Sequence, residues 1–260
     1  HAKLLELAMW AGFIGVIAYF VIGRICTKIG GRSTSSIFLA LAGISYIYYG
    51  HADSISSYFI GLTLVTVCIN GAAYIGGGNL VTQWFPKKKG LANGYTTMGH
   101  NLGSALYVPL IAALIGSLGM ASGMTVTGVA AIVIGIGAYF IVRNTPQELG
   151  VYPDNVSKEV YEKEYADAGE ASGSRWTVGK LLKTKEMWLV AFIVGINQMV
   201  TTGVMSQMVP RNMEFGFTQT QAVSLMTVCA LVGLAGSVGF GFIDQKLGVK
   251  TAVIGYLVWY

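Results

Sequence analysis

Charge is the scarcest commodity in this sequence. Asp, Glu, Lys and Arg make up only 11% of its 260 residues, where a soluble domain carries about 25%. Most of its surface therefore faces something other than water. Cysteine is equally sparse: Cys26, Cys68 and Cys229 stand alone, without the spacing of a disulfide framework or a metal knuckle. Neither a metal nor another cofactor is expected. The three histidines join no cluster with Asp, Glu or Cys, so an integral membrane enzyme lacks its machinery. No G-x-x-x-x-G-K run occurs, and the glycine-rich stretches are not phosphate loops. No apolar stretch carries a central Lys for a retinal Schiff base, which counts against a seven-helix photoreceptor. Nor do these stretches alternate with the two-residue period of an outer-membrane barrel. The net charge of +5 is not gathered on one face, which argues against a nucleic-acid partner.

What the chain does have is length without charge. Seven apolar stretches cover roughly Leu5–Ile22, Ser35–Tyr49, Ser57–Val81, Leu91–Leu118, Met120–Val142, Met187–Val209 and Gln221–Ile243, and an eighth begins at Thr251. About 20 apolar residues form a helix that crosses a bilayer core, and only helices satisfy their own backbone there. The fold class is an all-α membrane protein in contact with the lipid bilayer. Lys and Arg keep time with these stretches. The gaps at Gly23–Arg32, Pro86–Lys89, Arg143–Lys185 and Asp244–Lys250 hold 15 of the 17, and the alternate gaps hold only Arg211. Cytoplasmic loops retain basic residues, so these four gaps are expected on the cytoplasmic side. Trp84, Trp176 and Trp188 fall at the same edge, as interfacial aromatics do. The stretch Arg143–Thr184 is the one long polar segment, flexible at Gly169–Ser174 and interfacial over Trp176–Lys185. It divides an N-terminal bundle (residues 1–142), a cytoplasmic linker (143–185) and the start of a C-terminal bundle (186–260).

An internal repeat links the two halves. Gly23–Ser33 reads G-R-I-C-T-K-I-G-G-R-S, and Gly241–Thr251 reads G-F-I-D-Q-K-L-G-V-K-T. At an offset of 218, Gly23, Lys28, Gly30 and Arg32 align with Gly241, Lys246, Gly248 and Lys250. Duplicated bundles are a standard architecture of secondary transporters. Both copies resemble the signature loop of the major facilitator superfamily, which lies between the second and third helices and again between the eighth and ninth. The resemblance implies a fragment running from the second helix into the ninth, consistent with a chain that starts at His1 and stops at Tyr260 inside an apolar run. Gln83–Gly94 (Q-W-F-P-K-K-K-G-L-A-N-G) and Asn144–Asp154 (N-T-P-Q-E-L-G-V-Y-P-D) resemble the oxalate/formate antiporter group and the related monocarboxylate porters. Two departures stand out. Thr27 and Gln245 occupy the family's acidic position, with Asp244 adjacent to the second. The stretch matching the eighth helix lacks the cation of oxalate-type members. The resemblance implies a small organic anion of monocarboxylate type, moved by alternating access in exchange or with protons. It also implies a monomer in a prokaryotic inner membrane. An exporter of bulkier amphipathic compounds is the alternative, and a seven-helix receptor a more distant one.

Depth along each helix, at about 1.5 Å per residue, places candidate substrate contacts in one mid-membrane layer. Tyr74 lies ten residues before Trp84, His100 ten after Gly90, and Gln198 eleven after Met187. Asn101, Asn197 and Thr201 are their neighbours. An intramembrane histidine is a functional candidate by default, and the residue type can change charge near neutral pH. The other reading of His100 is a neutral imidazole bonded to a neighbouring helix. Trp10 is a further candidate. Gly99 and Gly103, beside Pro109, form a small-xxx-small pair expected to bring two moving helices close. Gly23, Lys28, Gly30, Arg32, Gly241, Asp244, Lys246, Gly248 and Lys250 are expected to form a cytoplasmic gate.

Overall fold

The computed structural model describes residues 2–165 and 178–259. Gly169–Ser174, expected from sequence to be flexible, and Trp176 lie outside them. The described residues form helices and no strands. Helix α1 covers Ala2–Gly50, α2 Ile55–Asn70, a π-helical turn Gly71–Gly77, α3 Gly78–Trp84 and α4 Lys89–Ile141. Short α5 (Lys158–Glu164) and α6 (Val178–Leu182) precede α7 (Lys185–Glu214), α8 (Gln219–Leu247) and α9 (Val249–Trp259). Five of the helical segments are long and apolar enough to cross a membrane.

Two of the five, at 45 and 53 residues, are about twice the length a bilayer needs, because each is two spans joined at a glycine. Gly30 has φ 82° and ψ 164°, and Gly119 has φ 81° and ψ 167°. This region of backbone space is open essentially only to glycine. The chain folds back at each. Ile22 and Phe38, eight residues either side of Gly30, both pack on Gly71. Ile115 and Gly123, four residues either side of Gly119, touch each other. Gaps expected at Gly23–Arg32 and Leu118–Gly123 therefore shrink to one-residue corners. Gly248, between α8 and α9, has φ 82° and ψ 157°. The repeat seen in the sequence thus recurs as backbone geometry, since Gly30 and Gly248 are its matched positions.

Small residues set the packing. In lipid no hydrophobic force draws apolar helices together, so close backbone approach and van der Waals contact must do it. The second half of α1 meets the second half of α4 at Gly43 and Gly128, where a Cβ on either would strike the other's carbonyl oxygen. One contact further along, a Cβ on Gly135 would lie 2.9 Å from the Ser36 carbonyl. Hydroxyls inside the spans return to their own helix: Ser45, Thr63 and Thr66 donate to the carbonyls of Leu41, Phe59 and Leu62. These hydroxyls need not then face lipid alone. Outward side chains such as Ile17, Ile141 and Val258 are exposed, as a lipid-facing surface is.

Candidate functional site

The π-helical turn Gly71–Gly77 lies inside the apolar helical run Ile55–Trp84. Its extra residue widens the helix. Side chains of α1 bond two of its carbonyls. Ser35 Oγ donates to the Ala72 carbonyl at 2.9 Å, and Cys26 Sγ donates to the Ile75 carbonyl at 3.9 Å. Gly76 sits against the Ser35 backbone with no room for a Cβ. The turn is thus seated on α1 and presents Tyr74, which is 68% exposed.

Beside it opens a cavity of about 510 Å³ lined by Tyr19, Asn70, Tyr74, Ile75 and Gln198. Four of the five carry neutral polar groups. They come from α1, the end of α2, the π-helical turn and α7. Asn70 Nδ2 donates to the Tyr19 hydroxyl at 2.7 Å and to the Thr66 carbonyl at 3.0 Å. Gln198 Nε2 donates to Thr202 Oγ1 at 3.4 Å.

Of the residues expected from sequence, Tyr74 and Gln198 line this cavity, while His100, Asn101, Asn197 and Thr201 do not. His100 is exposed and makes no hydrogen bond among the described residues. Asn101 ties α4 to α8 by donating to Ser237 Oγ at 2.9 Å. Asn197 Oδ1 accepts from the Tyr256 hydroxyl at 3.5 Å, and its carbonyl accepts from Thr201 Oγ1 at 2.9 Å. Trp10 packs on Phe13. Tyr19 and Asn70 were not anticipated. Only with the corner at Gly30 rather than Gly23 does Tyr19, eleven residues before it, lie about 16 Å deep.

At the basic end the two halves touch. Gly90, in the first turn of α4, has no room for a Cβ because the Asp244 carboxylate occupies that place. A carboxylate there complements the unpaired N–H groups of a helix start. One turn on, a Cβ at Gly94 would lie 2.9 Å from the Ser237 carbonyl and 3.2 Å from Gly241 Cα. The close approach of α4 to α8 thus falls at Gly90 and Gly94. Nothing among the described residues comes within 4 Å of a Cβ at Gly99, Gly103 or Gly23. Pro109 lies exposed within α4. Lys28, Lys246 and Lys250 are exposed.

Residues 143–165 strap the first bundle from the same end. Asn144 Oδ1 accepts from the Arg32 backbone N–H at 2.9 Å, and Trp84 Nε1 donates to the Arg143 carbonyl at 3.0 Å. The Arg32 guanidinium stacks over Tyr139 and reaches Glu148 at 4.0 Å. Asp154, 3% exposed, accepts from the backbone N–H groups of Lys87 and Lys88, each at 3.0 Å, and from the Tyr165 hydroxyl at 2.8 Å. Lys87 Nζ pairs with Glu164 at 2.7 Å. Burial, then the Asp154 carboxylate, pushes the Tyr165 phenol up to about 12. Lys87 holds the Glu164 carboxyl below its ordinary value.

The model of the Major Facilitator Superfamily matches residues 5–258. An uncharacterized MFS-type transporter, YhjX, of Escherichia coli is 19% identical over 250 residues, covering 93% of this chain and 57% of its own. The oxalate:formate antiporter of Oxalobacter formigenes is 23% identical over 233 residues, covering 87% of this chain and 50% of its own. A probable hexose phosphate transport protein of Chlamydia trachomatis is 26% identical over 188 residues, covering 68% and 41%. The chain spans about half the length of the curated relatives it matches.

Proposed function

The chain belongs to the Major Facilitator Superfamily and is a transporter rather than an enzyme, and from that premise we propose that it moves a small organic anion of monocarboxylate type. Transport proceeds by alternating access, as exchange or with a proton. Residues 1–142 and 186–260 belong to two bundles that rock about the cavity, and the strapped basic end faces the cytoplasm of a prokaryotic inner membrane. The observation that carries this reading is the cavity itself. It opens between α1, the π-helical turn and α7, so it draws its wall from both halves of a duplicated chain, where substrate sites of rocking-bundle transporters lie. Its size suits a small solute, and its neutral hydrogen-bonding groups suit one carboxylate. The similarity to an oxalate:formate antiporter supports an anion. The similarity to hexose phosphate transport proteins makes phosphate esters the rival class.

The test is uptake by the full-length protein in proteoliposomes. Labelled formate, acetate, lactate and oxalate would run beside glucose 6-phosphate. Saturable uptake of a monocarboxylate is expected, and uptake of the phosphate ester alone would replace the reading. In the same assay His100→Ala should abolish transport or remove its dependence on a proton gradient. Unaltered uptake and coupling would take His100 out of the transport cycle.

A further inference from the structure

We propose that Tyr19, oriented by Asn70, is a substrate-contacting residue that donates a hydrogen bond to the substrate and so favours a carboxylate over its uncharged amide. The inference rests on the monocarboxylate reading and deepens it. Its basis is the direction of one hydrogen bond. Asn70 offers one atom to both the Thr66 carbonyl at 3.0 Å and the Tyr19 hydroxyl at 2.7 Å. A backbone carbonyl can only accept, so that atom must be the amide nitrogen, and the orientation of the Asn70 amide is fixed. The Tyr19 oxygen therefore accepts from Asn70. Its own proton is turned away from Asn70, and no described residue receives it.

Tyr19 lines the cavity together with Tyr74 and Gln198. Its ring lies along its own helix, with the hydroxyl 3.1 Å from where a Cβ on Gly15 would stand. Glycine at that position, one turn away, leaves the ring room to lie flat against the helix. A phenol whose lone pair is engaged by Asn70 is committed to donating. A carboxylate oxygen satisfies it without a proton of its own, and the bond is charge-assisted. The corresponding amide meets the same proton only through an uncharged carbonyl, so its bond lacks the charge assistance. The phenol thus discriminates by the charge of the acceptor it meets.

The experiment uses the full-length transporter in proteoliposomes with the best monocarboxylate of the panel. Tyr19→Phe keeps the ring and removes only the donor. KM for the carboxylate should rise about tenfold, the scale of one hydrogen bond to a charged group, with a smaller change in the maximal rate. Inhibition by the corresponding uncharged amide should weaken less, since that bond is neutral, so the carboxylate-to-amide preference should shrink severalfold. A general packing defect would weaken both ligands together. Carboxylate uptake with unchanged KM in Tyr19→Phe overturns this inference and leaves the transport reading intact. Equal weakening of carboxylate and amide also overturns it. No uptake of any monocarboxylate by the unsubstituted protein overturns the underlying reading, and this inference with it.

Discussion

At the scale of single residues, three glycines carry the one-residue corners between helices. Gly30, Gly119 and Gly248 share one backbone geometry, with φ of 82°, 81° and 82°. Any Cβ there is strained by roughly 1–3 kcal/mol. Gly30 carries a second constraint, since a Cβ would lie 2.6 Å from Asn144 Oδ1, whereas nothing stands near Gly119 or Gly248. Gly30→Ala should therefore lower the thermal midpoint in detergent more than Gly119→Ala, and Gly248→Ala should resemble the latter. Equal losses at Gly30 and Gly119 would show that Asn144 yields without cost. The sequence repeat made Gly30 and Gly248 legible in advance, because two copies of one motif call for one conformation. Gly119 has no such partner. The mid-membrane residues were legible only in part. Counting along a helix fixes depth but not rotation, so Tyr74 and Gln198 share a cavity while Asn101, at similar depth, bonds Ser237. The Tyr19–Asn70 bond spans 51 residues, and no local pattern announces it.

At the scale of elements, the long spans follow from apolar length, and their boundaries were readable to within a turn at most ends. The π-helical turn was not, and the donors Ser35 and Cys26 that bond its carbonyls lie in another helix, 37 and 49 residues away. The segment from residue 143 to 165 reads as a polar linker, yet it is built into the first bundle through Asp154. Three donors converge on that one buried carboxylate. Asp154→Asn would set its amide N–H groups against backbone N–H groups, a loss of about 2 kcal/mol or more. Trypsin should then cut at Lys158 and Lys163 roughly thirtyfold faster, and an unchanged rate would mean the strap holds by other contacts. The strap also has a pH window. Tyr165 titrates higher docked than free, so its contribution is complete below its ordinary value of 10 and is lost as pH rises toward about 12. Glu164 titrates lower docked, so its contribution is present above its ordinary 4.5 and is lost as pH falls. It is exposed, so salt should screen it. The mobility of a spin label at Lys158→Cys should be least between these limits, and Tyr165→Phe should abolish only the alkaline rise. The contact of α1 with α4 has no such tolerance. At Gly43 and Gly128 each backbone occupies the other's Cβ position, so Gly43→Val or Gly128→Val should force the helices apart. Either should reduce the yield of monodisperse protein severely, whereas Gly137→Val, at a position with open space, should not.

At the scale of the whole molecule, the contact between α4 and α8 is where the first bundle meets the second. It lies at the basic end, below the cavity, and has two parts of different stiffness. The Asp244 carboxylate over Gly90 is the end of a side chain and can rotate aside. The pairing of Gly94 with Ser237 and Gly241 is backbone on backbone and cannot. If rocking bundles expose the cavity to each side in turn, this contact exists in one state and is broken in the other. A substitution that only the closed state must accommodate shifts the balance by the difference it makes between the two. Gly94→Val is such a substitution, since its side chain has room only when α4 and α8 part. Spin labels at Lys89→Cys and Lys246→Cys, both exposed, report that separation in the full-length protein. Gly94→Val should move their distance distribution toward longer values, and Gly90→Ala should move it less, because Asp244 can swing away. Transport should slow in proportion, since a cycle that favours one state spends its time there. Identical distributions in the Gly94→Val and unsubstituted proteins would place the moving interface elsewhere than α4 and α8.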